Sequence, residues 1–144
     1  MRALFDSSFL ISFFDVHHIF HDRASAWYGK HRENGWATCP MTQNAVLRIV
    51  SKPAYSSVRS YSLVELRDVL RQNVRETDHE FWFDDVSLLD DSRIRAEYII
   101  GPNQLTDVYL LALAVKNGGR LVTFDERISI QAVSGATPDN LVIV

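Results

Sequence analysis

Cysteine is nearly absent from this chain of 144 residues: Cys39 stands alone. An internal disulfide is therefore excluded, and so is a zinc cage built from thiolates. A reducing compartment, the cytoplasm, is the simplest expected location. Long apolar runs are missing too: stretches such as Leu110–Val115 fall far short of the ~20 residues a membrane helix needs. No cleavable leader is expected, because Asp6 follows Arg2 closely and no long apolar stretch precedes a small-residue cleavage site. There is no Gly/Pro/Ser linker, internal repeat or low-complexity tract, so one domain over residues 1–144 is expected. An excess of positive charge is also lacking. The net charge of −3 excludes a protein that grips nucleic acid with its whole surface. It leaves room for a nuclease, whose site must itself hold acids.

What is present is an ordinary globular composition, 47% hydrophobic and 23% charged, enough for a buried core. The pattern predicts a strand over Arg2–Phe5, a helix over Ser7–Phe14 and a second helix over His21–Arg32 stopped by Gly35. Trp36–Cys39, bounded by Gly35 and Pro40, reads as a strand. Met41–Ser51 and Ser62–Glu76 have helical period. Phe81–Leu89 reads as extended and Ser92–Ile100 as a short helix before Gly101 and Pro102. Leu105–Asn117 is the clearest helix and ends at Gly118-Gly119. Arg120–Phe124 and Leu141–Val144 read as strands. Strands separated by helices predict a mainly parallel sheet covered on both faces, with ligands beyond the strands' carboxyl ends.

Three aspartates matter in that frame. Asp6 and Asp125 each follow a strand, and Asp107 opens the strongest helix on the face that carries Leu110, Leu111, Ala114 and Val115. Each alone can be a helix cap or a dipole-favoured residue. Together at one sheet edge they repel one another unless a cation neutralises them. Hard oxygen ligands suit Mg²⁺ or Mn²⁺, which can polarise a phosphate and activate water.

Other signals are weaker. His17, His18 and His21 have i, i+4 spacing, but no Glu lies between His17 and His21 and the tract sits at a helix start. No Gly-x-Ser-x-Gly turn and no glycine-rich phosphate loop is present. The acids Asp78, Glu80, Asp84, Asp85, Asp90 and Asp91 read as a solvated rim, and the aromatics Trp27, Tyr28, Phe81, Trp82 and Phe83 mostly as core.

Four blocks carry a resemblance: Leu4-Phe5-Asp6-Ser7-Ser8-Phe9-Leu10, Trp36 to Asn44, Thr106-Asp107-Val108-Tyr109-Leu110-Leu111-Ala112-Leu113-Ala114 with Gln104-Leu105 before it, and Gly118 to Asp125. In this order they resemble the PIN-domain ribonucleases of the VapC type, across almost the whole chain. The resemblance implies a three-layer α/β/α sandwich with a mainly parallel central sheet. It implies a Mg²⁺ or Mn²⁺ cofactor, hydrolysis of RNA by a metal-activated water, a homodimer, and neutralisation by a VapB-type antitoxin. By position, Asp6, Asp107 and Asp125 would be the metal-binding acids, with Ser8 and Thr123 as supporting hydroxyls. Thr106 reads more simply as a helix cap. Arg48, Lys52, Arg93, Arg95 and Arg127 are candidates for contact with RNA. One departure stands out: where the family commonly has Glu early in the third helix, this chain has Gln43. Its amide could position a water but brings no charge, and Glu126 is the nearest substitute acid in sequence.

The competing readings are a non-catalytic or weakly active PIN-like module that binds RNA or protein, with Gln43 as its mark, and a phosphoacceptor signalling domain. The latter lacks an acidic pair after the first strand, since Ser7 and Ser8 follow Asp6.

Overall fold

The computed structural model describes residues 1–144. Strands β1 (Ala3–Phe5), β2 (Trp36–Thr38), β3 (His79–Phe81), β4 (Arg120–Thr123) and β5 (Leu141–Ile143) form one sheet in the order β3-β2-β1-β4-β5. Every neighbouring pair is parallel. The helices are α1 (Ser7–Phe14), α2 (His21–His31), α3 (Pro40–Val50), α4 (Leu63–Glu76) and α5 (Leu105–Lys116).

Strand alternation sorts the core into two layers. Leu4 and Leu121 face α5, whose residues Val108 to Ala114 are all buried. Ala3, Phe5, Trp36 and Val122 face the other way, onto Phe9, Leu10, Ile11, Ala24, Val46 and Val50 of α1, α2 and α3. Leu66, Leu70 and Val74 of α4 pack outside this second layer. The expected α/β/α sandwich is therefore the fold. An α5 that is apolar all round is buried on most of its circumference, as such helices must be.

Local chemistry sets the ends of the helices. Ser62 and Glu65 close a capping box at α4. Pro40 occupies the first turn of α3, and the Thr42 hydroxyl satisfies the Cys39 N–H at 3.0 Å. At the end of α5, Gly118 takes φ +66° and Gly119 N–H returns to the Ala114 carbonyl at 2.8 Å.

Two expectations fail between residues 79 and 100. The strand begins earlier, at His79, and ends at Phe81; the Trp82 N–H makes a last bond to the Thr38 carbonyl at 2.9 Å while its ring is buried, and Asp84 and Asp85 turn outward. No α-helix forms over Ser92–Ile100. That segment holds only a 3₁₀ turn at Ala96–Tyr98, because Ile94 bridges to Val133 in antiparallel fashion and Arg95 N–H bonds the Ala132 carbonyl. The other predicted elements form, with ends shifted by a residue or so.

The strand order reverses at β1. The chain builds β2 and β3 on one side, then crosses back to place β4 and β5 on the other. The gap between the carboxyl ends of β1 and β4 is the switch point where such sheets bind ligands.

Candidate active site

Asp6 leaves β1 at this point, its own N–H still bonded to the Val122 carbonyl of β4 at 3.1 Å. It caps α1: Oδ1 accepts the Phe9 N–H at 2.7 Å. The Ser8 hydroxyl lies 2.8 Å from both carboxylate oxygens, and the Thr123 hydroxyl donates to Oδ2 at 2.6 Å. Asp6 is buried, and burial raises its proton affinity above the usual carboxylate range. The hydrogen bonds from Thr123, Phe9 and Ser8 act against that rise, while the charge of Asp125 adds to it.

Asp107 opens α5 half-buried. Its carboxyl is pushed up to about 6, first by burial and then by the charges of Asp6 and Asp125; Arg127 opposes the shift. Asp125 follows β4, its N–H donating to the Thr123 hydroxyl oxygen at 3.0 Å. Its carboxylate is held below the ordinary range by Arg127, which reaches it through Nε at 2.9 Å and Nη2 at 2.7 Å.

The fold thus brings Asp6, Asp107 and Asp125 within reach of each other's charge, at the end of the sheet. They do not close into one coordination group: no set of three or more His, Cys, Asp or Glu side chains is gathered to hold a metal ion. The reason is visible in the partners. Asp6 is spent on three donors, and Asp125 is turned onto Arg127. The donor chemistry nevertheless fits a hard divalent ion, since the charges of Asp6 and Asp125 converge on Asp107 and Arg127 offsets only part of them.

Gln43 is in contact with none of the acids through a hydrogen bond. Its amide nitrogen donates to the Thr38 hydroxyl at 2.8 Å, and that oxygen lies 2.8 Å from His79 Nε2. The amide uses one of the two acceptor directions of the Thr38 hydroxyl, so Thr38 donates to His79 or accepts from it according to the imidazole tautomer. Burial pushes His79 down to about 4, so the imidazole is neutral and carries its proton on one nitrogen only. Glu126 is exposed beside Asp125 and Arg127 on the outer rim with Ser8.

A cleft of about 510 Å³ opens from Asp107 along α3, lined by Ser7, Asn44, Arg48, Asp84 and Thr106 among others. Of the basic candidates, Arg48 lies in this cleft and Arg127 on the rim beside Asp125. Arg93 pairs with Asp90 at 3.6 Å, and neither Arg93, Arg95 nor Lys52 lines the cleft. Asp84 was not distinguishable from its acidic neighbours in sequence. It accepts the Met41 N–H at 3.0 Å, the start of α3, and the Tyr109 hydroxyl at 3.1 Å. Thr38 and His79 carried no sequence signal either, because their role depends on β2 and β3 lying side by side. His18 and His21 are engaged locally, both with Ser12.

Comparison with known proteins bears on the fold and the family. The family model described as PIN domain matches residues 3–133. Ribonuclease VapC44 of Mycobacterium tuberculosis is 44% identical over 141 residues, 98% of each chain. Ribonuclease VapC39 of the same organism is 34% identical, covering 94% of this chain and 96% of its own. Among solved structures, VapBC2 from Rickettsia felis bound to a DNA fragment from its promoter superposes with a TM-score of 0.61 at 14% identity. That match covers 100% of this chain and 98% of the other.

Proposed function

Because the chain belongs to the PIN-domain family and to its VapC type, we propose that it is a Mg²⁺- or Mn²⁺-dependent endoribonuclease, the toxin of a toxin–antitoxin pair. The observation that carries this reading is Asp107. A half-buried carboxylate at a switch point, raised to about 6 by burial and by two neighbouring acids, is a group arranged to meet a cation.

Asp6, Asp107 and Asp125 would hold the ion. When bound, a divalent ion supplies Lewis-acid polarisation of the phosphate and lowers the pKa of a water. The side chains prepare that chemistry. Ser8 and Thr123 would fix the orientation of Asp6, and the hydrogen bonds from Thr123, Phe9 and Ser8 favour its ionised form, offsetting part of the effect of burial. Arg48 and Asn44, which line the cleft with Asp107, would bind phosphate and ribose of an RNA strand. Residues 1–144 act as one PIN domain in this reading, in the cytoplasm, as a homodimer silenced by a VapB-type antitoxin.

A second reading has its own support: with Asp125 on Arg127 and Gln43 on Thr38, the chain could be a PIN-like binding module of little activity. One experiment separates them. Purified protein is incubated with total RNA and Mn²⁺, with and without EDTA, beside Asp107→Asn and Asp6→Asn. EDTA-sensitive cleavage lost in both variants supports the nuclease. Cleavage that survives both substitutions sinks the site assignment, and RNA binding without cleavage favours the module.

A further inference from the structure

Arg127 occupies an unusual place for an exposed cation. Its backbone N–H and its Nε both reach Asp125 Oδ1 at 2.9 Å, and Nη2 reaches Oδ2 at 2.7 Å. The fork therefore covers both oxygens of an acid that the proposed metal site needs. The same guanidinium is close enough to Asp107 to oppose its protonation. Within the acid group Arg127 supplies the positive charge that a divalent ion would otherwise bring.

The clamp is also easily opened. The Arg127 side chain is 75% exposed, so no packing holds it, whereas that of Asp125 is 24% exposed. Solvent screens an exposed pair of this kind, so it holds its partners weakly. An ion coordinated by three carboxylates competes well against such a partner. A released guanidinium on the open rim is free to take a phosphate oxygen by the same bidentate geometry it uses on Asp125.

We propose that Arg127 is a two-position residue, holding Asp125 while the site lacks a divalent ion and passing its guanidinium to an RNA phosphate once Asp125 turns to that ion. This rests on the metal-site reading above and adds an exchange of partners to it. No bond is made or broken covalently; one ion pair replaces another.

The exchange has a signature of opposite signs. In Arg127→Ala and in the neutral but hydrogen-bonding Arg127→Gln, the competing cation is gone. Mn²⁺ should then bind about two- to fivefold more tightly by titration calorimetry on the full chain, the range that an exposed pair of this strength converts to. Binding of a short single-stranded RNA in the presence of Ca²⁺, followed by fluorescence anisotropy, should weaken roughly three- to tenfold in both variants, as one lost charged phosphate contact does. A structural brace would loosen both ligands together, and a bystander would change neither; either result overturns the proposal. Tighter Mn²⁺ with unchanged RNA affinity overturns the exchange. Asp107→Asn serves as the separate control: if it binds Mn²⁺ as well as the native chain, the metal-site reading itself falls. Thermal melts of Arg127→Gln confirm that the fold is intact in the variant compared.

Discussion

The Thr123 hydroxyl donates to Asp6 Oδ2 at 2.6 Å while accepting the N–H of Asp125 at 3.0 Å. One fully buried side chain thus reaches across 117 residues of sequence to the first acid of the sheet edge and ties it to the last. Thr123→Val keeps the volume and removes the link. Asp6 loses its shortest donor and the Asp125 N–H its acceptor. Mn²⁺ affinity and RNA cleavage should fall on the order of 10–100-fold, as for other residues that orient metal-binding carboxylates. Unfolding in urea should show a loss of about 1–3 kcal/mol for the unsatisfied buried groups. Thr123→Ser should restore most of both, and a Thr123→Val enzyme with native affinity and rate would remove the residue from the site.

Gly119 tests the packing behind the site. A Cβ there would lie 2.6 Å from the Arg2 carbonyl oxygen and 2.6 Å from Trp82 Cη2. One neighbour is the backbone just before β1 and the other a buried ring, so neither can move aside cheaply. Gly119→Ala should destabilise by roughly 1–3 kcal/mol, the range of overpacked cores. Gly118→Ala meets no atom but requires φ +66°, and should cost about 1 kcal/mol through backbone strain alone. Equal midpoints for the two variants in urea would contradict this account.

What was legible in the sequence follows the range of the forces involved. Asp6, Asp107 and Asp125 could be placed because each sits at a chain landmark, a strand end or a helix start, that local pattern reveals. The helices from α1 to α5 were legible for the same reason. Phe81, Trp82 and Phe83 misled because aromatic composition marks a strand only if the ladder continues; here Trp82 turns into the core against Gly119. Ile94 resembled a helix residue because its partner, Val133, lies 39 positions away along the chain. The Arg127 fork, the Thr38–His79 relay and the anchoring of Asp84 by Tyr109 are side-chain choices among long-range neighbours, which periodicity does not encode.

Gln43→Glu is more than a repair toward the commoner family residue. A carboxylate at 43 can only accept, so the Thr38 hydroxyl must donate to it. His79 must then offer its own N–H to Thr38. The added negative charge also favours the imidazolium, joining Glu80 and Asp78 against burial and Arg2. The His79 pKa, about 4 in the native chain, should rise by a unit or more in Gln43→Glu by NMR titration. An unshifted His79 would mean that residue 43 no longer touches the relay in the variant.

Acidity should also separate the metal-free protein from the loaded one. Asp107 has a folded pKa near 6, above the ~3.9 of an unfolded aspartate. Between these values the folded state binds the extra proton, so this contribution to stability is present at low pH and is lost as pH rises through about 6. Buried Asp6 shifts in the same direction and adds to the trend. The melting temperature without metal should therefore fall from pH 5 to pH 7, after allowance for the remaining groups by comparison with Asp107→Asn, whose slope should be flatter. With saturating Mn²⁺ the sign reverses, because the ion needs the ionised carboxylate and its binding energy grows with pH. Cleavage should lose activity below about pH 6 for the same reason. A metal-free melting curve whose pH slope is unchanged by Asp107→Asn would show that Asp107 titrates like an ordinary surface acid, and the electrostatic argument for a cation at this sheet edge would lose its support.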